Sequence, residues 1–142
     1  MSAEMFFWAA LSFRDPAARV RLQHVLDEEG FQQGRDNILD HNLVWGESAL
    51  KVMWTGAGPV RCFENAACLL ELCAHHASGG EAYAIQLDAQ RGYRFRASTW
   101  DGEELSAAEI RAVRQRLRSA DPPSDVETSE TEASRRARDK AR

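Results

Sequence analysis

Gly56-Ala57-Gly58-Pro59, with Arg61 two positions on, is the segment of this chain closest to a ligand motif. A glycine-rich turn entering a helix offers backbone N–H groups to a phosphate, and an arginine in the first helical turn would assist. The pattern stops at G-x-G. Arg61 stands where a dinucleotide fingerprint has its third glycine, no Lys-Ser/Thr follows, and Pro59 removes one donor. Gly56, Gly58 and Arg61 thus form an anion-binding candidate for a small enzyme, against the simpler reading of a strand-to-helix connector.

Cys62, Cys68, Cys73, His75 and His76 fall in one helical stretch. At about 3.6 residues per turn, Cys62, Ala66, Leu69, Cys73 and His76 form a row beside Phe63, Ala67, Leu70, Ala74 and Ala77. Cys62 and Cys73 therefore read as small core residues. Cys68 lies on the polar side near Glu64, and acidic neighbours raise a thiol pKa, the wrong direction for a nucleophile. Cys68 and His75 are separated by about 10 Å along a helix axis, too far for a hydrogen-bonded dyad. A zinc site would need His24 or His41 at no recognised spacing. Carboxylates are plentiful (Asp27-Glu28-Glu29, Asp36, Asp40, Glu47, Asp101, Glu103, Glu104), and a hydrolase could pair two of them across a sheet, but the sequence marks no pair as buried or convergent; the cluster at 27–29 reads as a solvated helix end. No catalytic residue, metal set or cofactor is assigned.

The arginines are placed more tellingly. Arg94 and Arg96 alternate along one strand, and Arg91 stands at the turn before it. In the last helix Arg111, Arg114 and Arg118 follow i, i+3, i+7, opposite the stripe Ile110, Val113, Leu117. Packed side by side, these six would form one basic surface fit for nucleic acid, although no aromatic pair at the spacing of an RNA-binding sheet accompanies them. A separate hint lies at the start of the chain. If Phe7, Ala9, Leu11 and Phe13 face helices, Phe6 and Trp8 face the other way, and with Trp45 and Met53 they would make a protein interface. The alternative is that the last helix crosses over and buries them.

The elements that must position these groups are legible from period and punctuation. Met5–Phe13 is uncharged and rich in aromatics, the pattern of a strand buried on both faces. Asp15-Pro16 gives an N-cap and a proline at the first helical position, and Gly30 a helix end. Residues 38–45 and 50–55 read as a hairpin around Gly46-Glu47-Ser48-Ala49. A helix is predicted over 60–77. Two more strands follow, 83–87 and 93–97, with Tyr83, Ile85, Leu87, Tyr93, Phe95 and Ala97 expected on one inner face. Ser106 and Glu109 form an S-x-x-E capping box before a helix ending near Arg118.

The order β-α-β-β-α-β-β-α predicts an α+β two-layer sandwich, a ferredoxin-like βαββαβ core with an appended strand and C-terminal helix. Merging residues 38–55 into one strand would give βαβαββα, but at a length far beyond the usual strand. Residues 1–120 form the single domain, and 121–142 read as a disordered charged tail with no apolar periodicity.

Bulk properties bound the function. The chain has 142 residues, is 44% hydrophobic and 28% charged, and carries a net charge of −4. That excludes coating nucleic acid or anionic membrane by bulk charge. Locally the balance differs: residues 106–120 hold four basic groups and one acidic, so a basic face on an acidic body survives. The longest apolar stretch, Met5–Leu11, is far short of the roughly 20 residues of a membrane-spanning helix, and Glu4 and Phe13-Arg14-Asp15-Pro16 do not flank it as a secretory signal would be flanked. Three irregularly spaced cysteines point to reduced thiols and a cytoplasmic location. Sixteen arginines against two lysines, with 22 alanines, point to a GC-rich, bacterial genome. The expectation is a small non-catalytic accessory protein acting through protein contacts, with another protein or a second copy of itself. Nucleic-acid binding through the arginine face is the alternative.

Overall fold

The structure, a computed structural model, describes residues 2–28, 38–39 and 42–118. The expected helix end at Gly30, the acids at Asp36 and Asp40, His41 and the tail at 121–142 lie outside the described residues.

Strand β1 (Ser2–Ser12) leads into helix α1 (Pro16–Glu28). The side chain of Asp15 caps that helix, its Oδ1 accepting from the Ala18 N–H at 2.8 Å. A short strand β2 (Val44–Trp45) turns at Gly46, whose N–H donates to the Ala49 carbonyl, into β3 (Ala49–Pro59). Helix α2 (Val60–His76) follows without a loop. Then come β4 (Gly79–Gln86), β5 (Arg91–Arg96), β6 (Glu103–Glu104) and helix α3 (Ala107–Arg118). The capping box is present: Glu109 N–H donates to Ser106 Oγ at 3.1 Å, and Ser106 N–H to Glu109 Oε1 at 2.7 Å.

The six strands form one antiparallel sheet in the order β2-β3-β1-β4-β5-β6. β1 is central, paired along its full length with β3 and from Met5 to Ser12 with β4. Its alternate residues therefore serve two separate cores. Met5, Phe7, Ala9 and Leu11 pack with Leu22 and Leu26 of α1 and with Phe63, Ala66, Leu69 and Leu70 of α2. Phe6 and Trp8 pack on the reverse face with Tyr83, Ile85, Leu105 and the stripe Ile110, Val113, Leu117 of α3. The body is thus a helical layer on a sheet, to which α3 adds a partial third layer.

Three expectations change. Of the described residues in the strand expected over 38–45, only Val44 and Trp45 are strand, and Ile38 and Leu39 lie in a turn. Gly56–Pro59, expected as a loop, belongs to β3, held by pairing to Ser2–Met5. The shared inner face of β4 and β5 is also corrected. Ala84 lies opposite Tyr93 and Ala82 opposite Phe95, so Tyr93 and Phe95 face α2 while Tyr83 and Ile85 face α3.

Candidate functional site

The register of β3 leaves a feature that its composition alone does not reveal. β1 pairs with all of β3, but β2 covers only Leu50 and Lys51 on the other side. From Val52 to Pro59 the outer edge of β3 has no neighbouring strand among the described residues. Edge strands usually carry a charge, a bulge or an early proline to discourage pairing. The segment Val52-Met53-Trp54-Thr55-Gly56-Ala57-Gly58-Pro59 has no charged residue, and its proline comes last. Exposed large apolar side chains occur on this strand and on the elements flanking it: Met53 is 39% exposed, Val44 of β2 53% and Val60 of α2 36%.

The glycines of that strand serve packing. Trp54, Gly56 and Gly58 alternate onto one face, and a Cβ at Gly56 would meet the Trp54 ring at 2.9 Å. A Cβ at Gly58 would come within 3.2 Å of Met5 Cε. The space a phosphate would take is filled by an indole and a thioether, and extended backbone sends successive N–H groups to opposite sides. Gly56, Gly58 and Arg61 therefore do not assemble the anion cradle expected of a loop. Arg61 is exposed on the first turn of α2.

The four aromatic and apolar interface candidates are not one patch. Phe6 is 6% exposed and Trp8 8%, both covered by α3, as in the crossing-helix alternative. Trp45 lies on the opposite side of the sheet, with its ring centroid 6.4 Å from that of Phe13. Met53 alone of the four is exposed, and it belongs to the β3 edge.

The arginine set is divided too. Arg91 lies against α2, ion-paired with Glu64 and over the Phe63 ring at 5.2 Å. Arg94 and Arg96 lie on the reverse face and share Glu103, each at 3.2 Å. The two guanidiniums hold the Glu103 carboxyl below its usual pKa, the hydrogen bond from Arg96 being the main cause. Arg116, absent from the sequence-based set, donates to the Tyr83 hydroxyl at 2.8 Å and lies 3.7 Å from Glu81. The six are therefore not gathered on one face: Arg91 lies on the α2 side of the sheet, and Arg91, Arg94 and Arg96 are each matched by a glutamate. Arg111 and Arg114 have no acidic partner among the described residues. The Arg114 guanidinium lies 5.6 Å from the Phe6 ring centre. The side chain of Arg118 lies outside the described residues.

The thiols are unsuited to nucleophilic work. Cys73 is fully buried, and burial pushes its pKa up to about 12. Cys68 borders a groove of about 310 Å³ with Glu64, Glu71 and Asp101. Burial first, then Glu71 and Glu64, raises its thiol above the ordinary value. His75 stacks on Trp100 at 3.8 Å between centroids, and His76 Nδ1 meets the Leu72 carbonyl at 3.2 Å. Among the described residues no group of three His, Cys, Asp or Glu side chains is placed to hold a metal. Nor is any helix among them long and apolar enough to cross a membrane.

No protein-family model, curated protein or solved structure significantly matches the chain. Its functional reading therefore rests on the sequence and the geometry.

Proposed function

We propose that this chain is a small non-catalytic binding protein that acts through protein contacts, and that its partner is a second copy of itself joined along β3. The observation that carries this reading is the edge from Val52 to Pro59, which has no neighbouring strand among the described residues. Strand addition satisfies a row of backbone donors and acceptors at once, and flanking side chains set the register. The edge suits a copy of itself because an antiparallel two-fold pairing of an uncharged strand brings no like charges together. Val44, Met53 and Val60 would be withdrawn from water on the same association.

Two finer readings go with it. A ferredoxin-like βαββαβ core is supported by the strand order β2-β3-β1-β4 with α1 and α2 as its crossovers, β5, β6 and α3 being additions. A reducing, cytoplasmic setting is supported by three free cysteines, two of them buried. Sedimentation or light scattering tests the association. The expected result is a dimer of the 15.9 kDa chain, weakened at least tenfold by Met53→Lys with an unchanged far-UV spectrum. A monomer at hundreds of micromolar, or a dimer indifferent to charge at Met53 and Val44, overturns the reading.

A further inference from the structure

Two arginines with no acidic partner among the described residues lie together. Arg111 and Arg114 line a half-open cleft of about 390 Å³ between α3 and the turn joining β4 to β5. Its apolar wall is Leu87, Ala107 and Ile110, and Gln90 adds a polar group at the rim. The volume falls in the range of small-molecule sites, which combine apolar walls with a few placed polar groups.

What sets this place apart is that two such arginines line one cleft. Arg91, Arg94, Arg96 and Arg116 each meet a glutamate. Arg111 and Arg114 meet none among the described residues, although the whole chain is net acidic. They stand three positions apart on one helix face, so two guanidinium forks converge on one cleft. Arg114 is half-buried against Phe6, which limits the freedom of its side chain before any ligand arrives. A guanidinium presents paired N–H groups that match the two oxygens of a carboxylate or phosphate.

We infer that this cleft binds a small amphipathic oxyanion, with the carboxylate or phosphate head between Arg111 and Arg114 and an apolar body against Leu87, Ala107 and Ile110. This site is separate from the β3 edge and does not depend on dimerisation.

The test is an NMR titration of the full chain with phenyl phosphate, benzoate and inorganic phosphate. Saturable shifts of the amides at 87–90 and 107–115, lost or weakened at least tenfold in Arg111→Gln and Arg114→Gln, are the expected result. Preference for phenyl phosphate or for benzoate assigns the head group as phosphate or carboxylate. Arg114→Lys keeps the charge but loses the fork and falls between wild type and Arg114→Gln. Inorganic phosphate binding as tightly as phenyl phosphate overturns the apolar half of the inference. Absence of saturation by all three up to about 10 mM, or binding indifferent to both glutamine variants, overturns it entirely. So does binding confined to long nucleic acids, which would return the two arginines to a backbone-phosphate role.

Discussion

Replacing Ile110 by alanine decides whether α3 truly seals the reverse face of the sheet. Ile110 is buried in the cluster of Phe6, Trp8, Tyr83 and Ile85, so the change removes three carbon groups from an apolar site. At about 0.8 kcal/mol for each, the transfer loss is roughly 2.4 kcal/mol. The sheet beneath is held on both sides of β1 and cannot collapse into the space, which raises the expected cost to about 3 kcal/mol. Urea unfolding followed by far-UV circular dichroism measures this directly, with Gln115→Ala on the exposed side of the same helix as a control expected within about 0.5 kcal/mol. The variant should also bind a hydrophobic dye more strongly as Phe6 and Trp8 become accessible. A loss below about 1 kcal/mol for Ile110→Ala would mean that α3 is not seated. The withdrawal of Phe6 and Trp8 from the surface would then fall with it.

Three further outcomes follow from single contacts. Gly80 has φ +95°, and an added Cβ would run into the Ala10 carbonyl, so Gly80→Ala should cost about 3 kcal/mol or more and lower the melting temperature sharply. Because the folded Cys73 thiol titrates at about 12, the unfolded chain gives up that proton first, and stability falls as pH rises above the ordinary thiol range. The slope approaches about 1.4 kcal/mol per pH unit, and Cys73→Ala should remove it from urea midpoints measured in that range. At the acid end the sign reverses. Glu103 is held below its usual pKa, so its stabilisation is present at neutral pH and is lost as pH falls through the carboxylate range; Glu103→Gln should flatten the melting temperature there.

The fold was legible where a signal is local. Asp15-Pro16 and Ser106-x-x-Glu109 announce helix starts through groups three residues apart, and both caps form. The two-sided burial of β1 was readable because the strand carries no charge between Met5 and Ser12. What failed depended on partners remote in sequence. Whether Tyr83 and Tyr93 share a face is set by the parity of the turn between them, and Ala84 opposite Tyr93 puts them on different sides. Gly56-Ala57-Gly58-Pro59 has the composition of a loop, yet Trp54 needs Gly56 beneath its ring and the strand runs on. The arginine face dissolved because Glu64 reaches Arg91 from 27 positions away. At the candidate sites, Met53 was singled out by the alternation of its strand, and Arg111 and Arg114 by their spacing opposite an apolar stripe. Val44 and Val60 were not, since only the register reveals that Val52–Pro59 has no outer neighbour among the described residues.

The central place of β1 has a consequence for how the chain is made. It precedes every other element, yet its partners are residues 49–59 and 79–86, so Met5 waits for Gln86 before its second side is paired. Until then the ribosome displays Met5-Phe6-Phe7-Trp8-Ala9-Ala10-Leu11 as an adhesive segment with at least one side unpaired. Pairings of such long sequence separation close slowly. The strand that ends up least exposed in the finished protein is thus exposed longest during synthesis, and the yield of soluble protein should respond to translation speed before residue 86 and to chaperone supply.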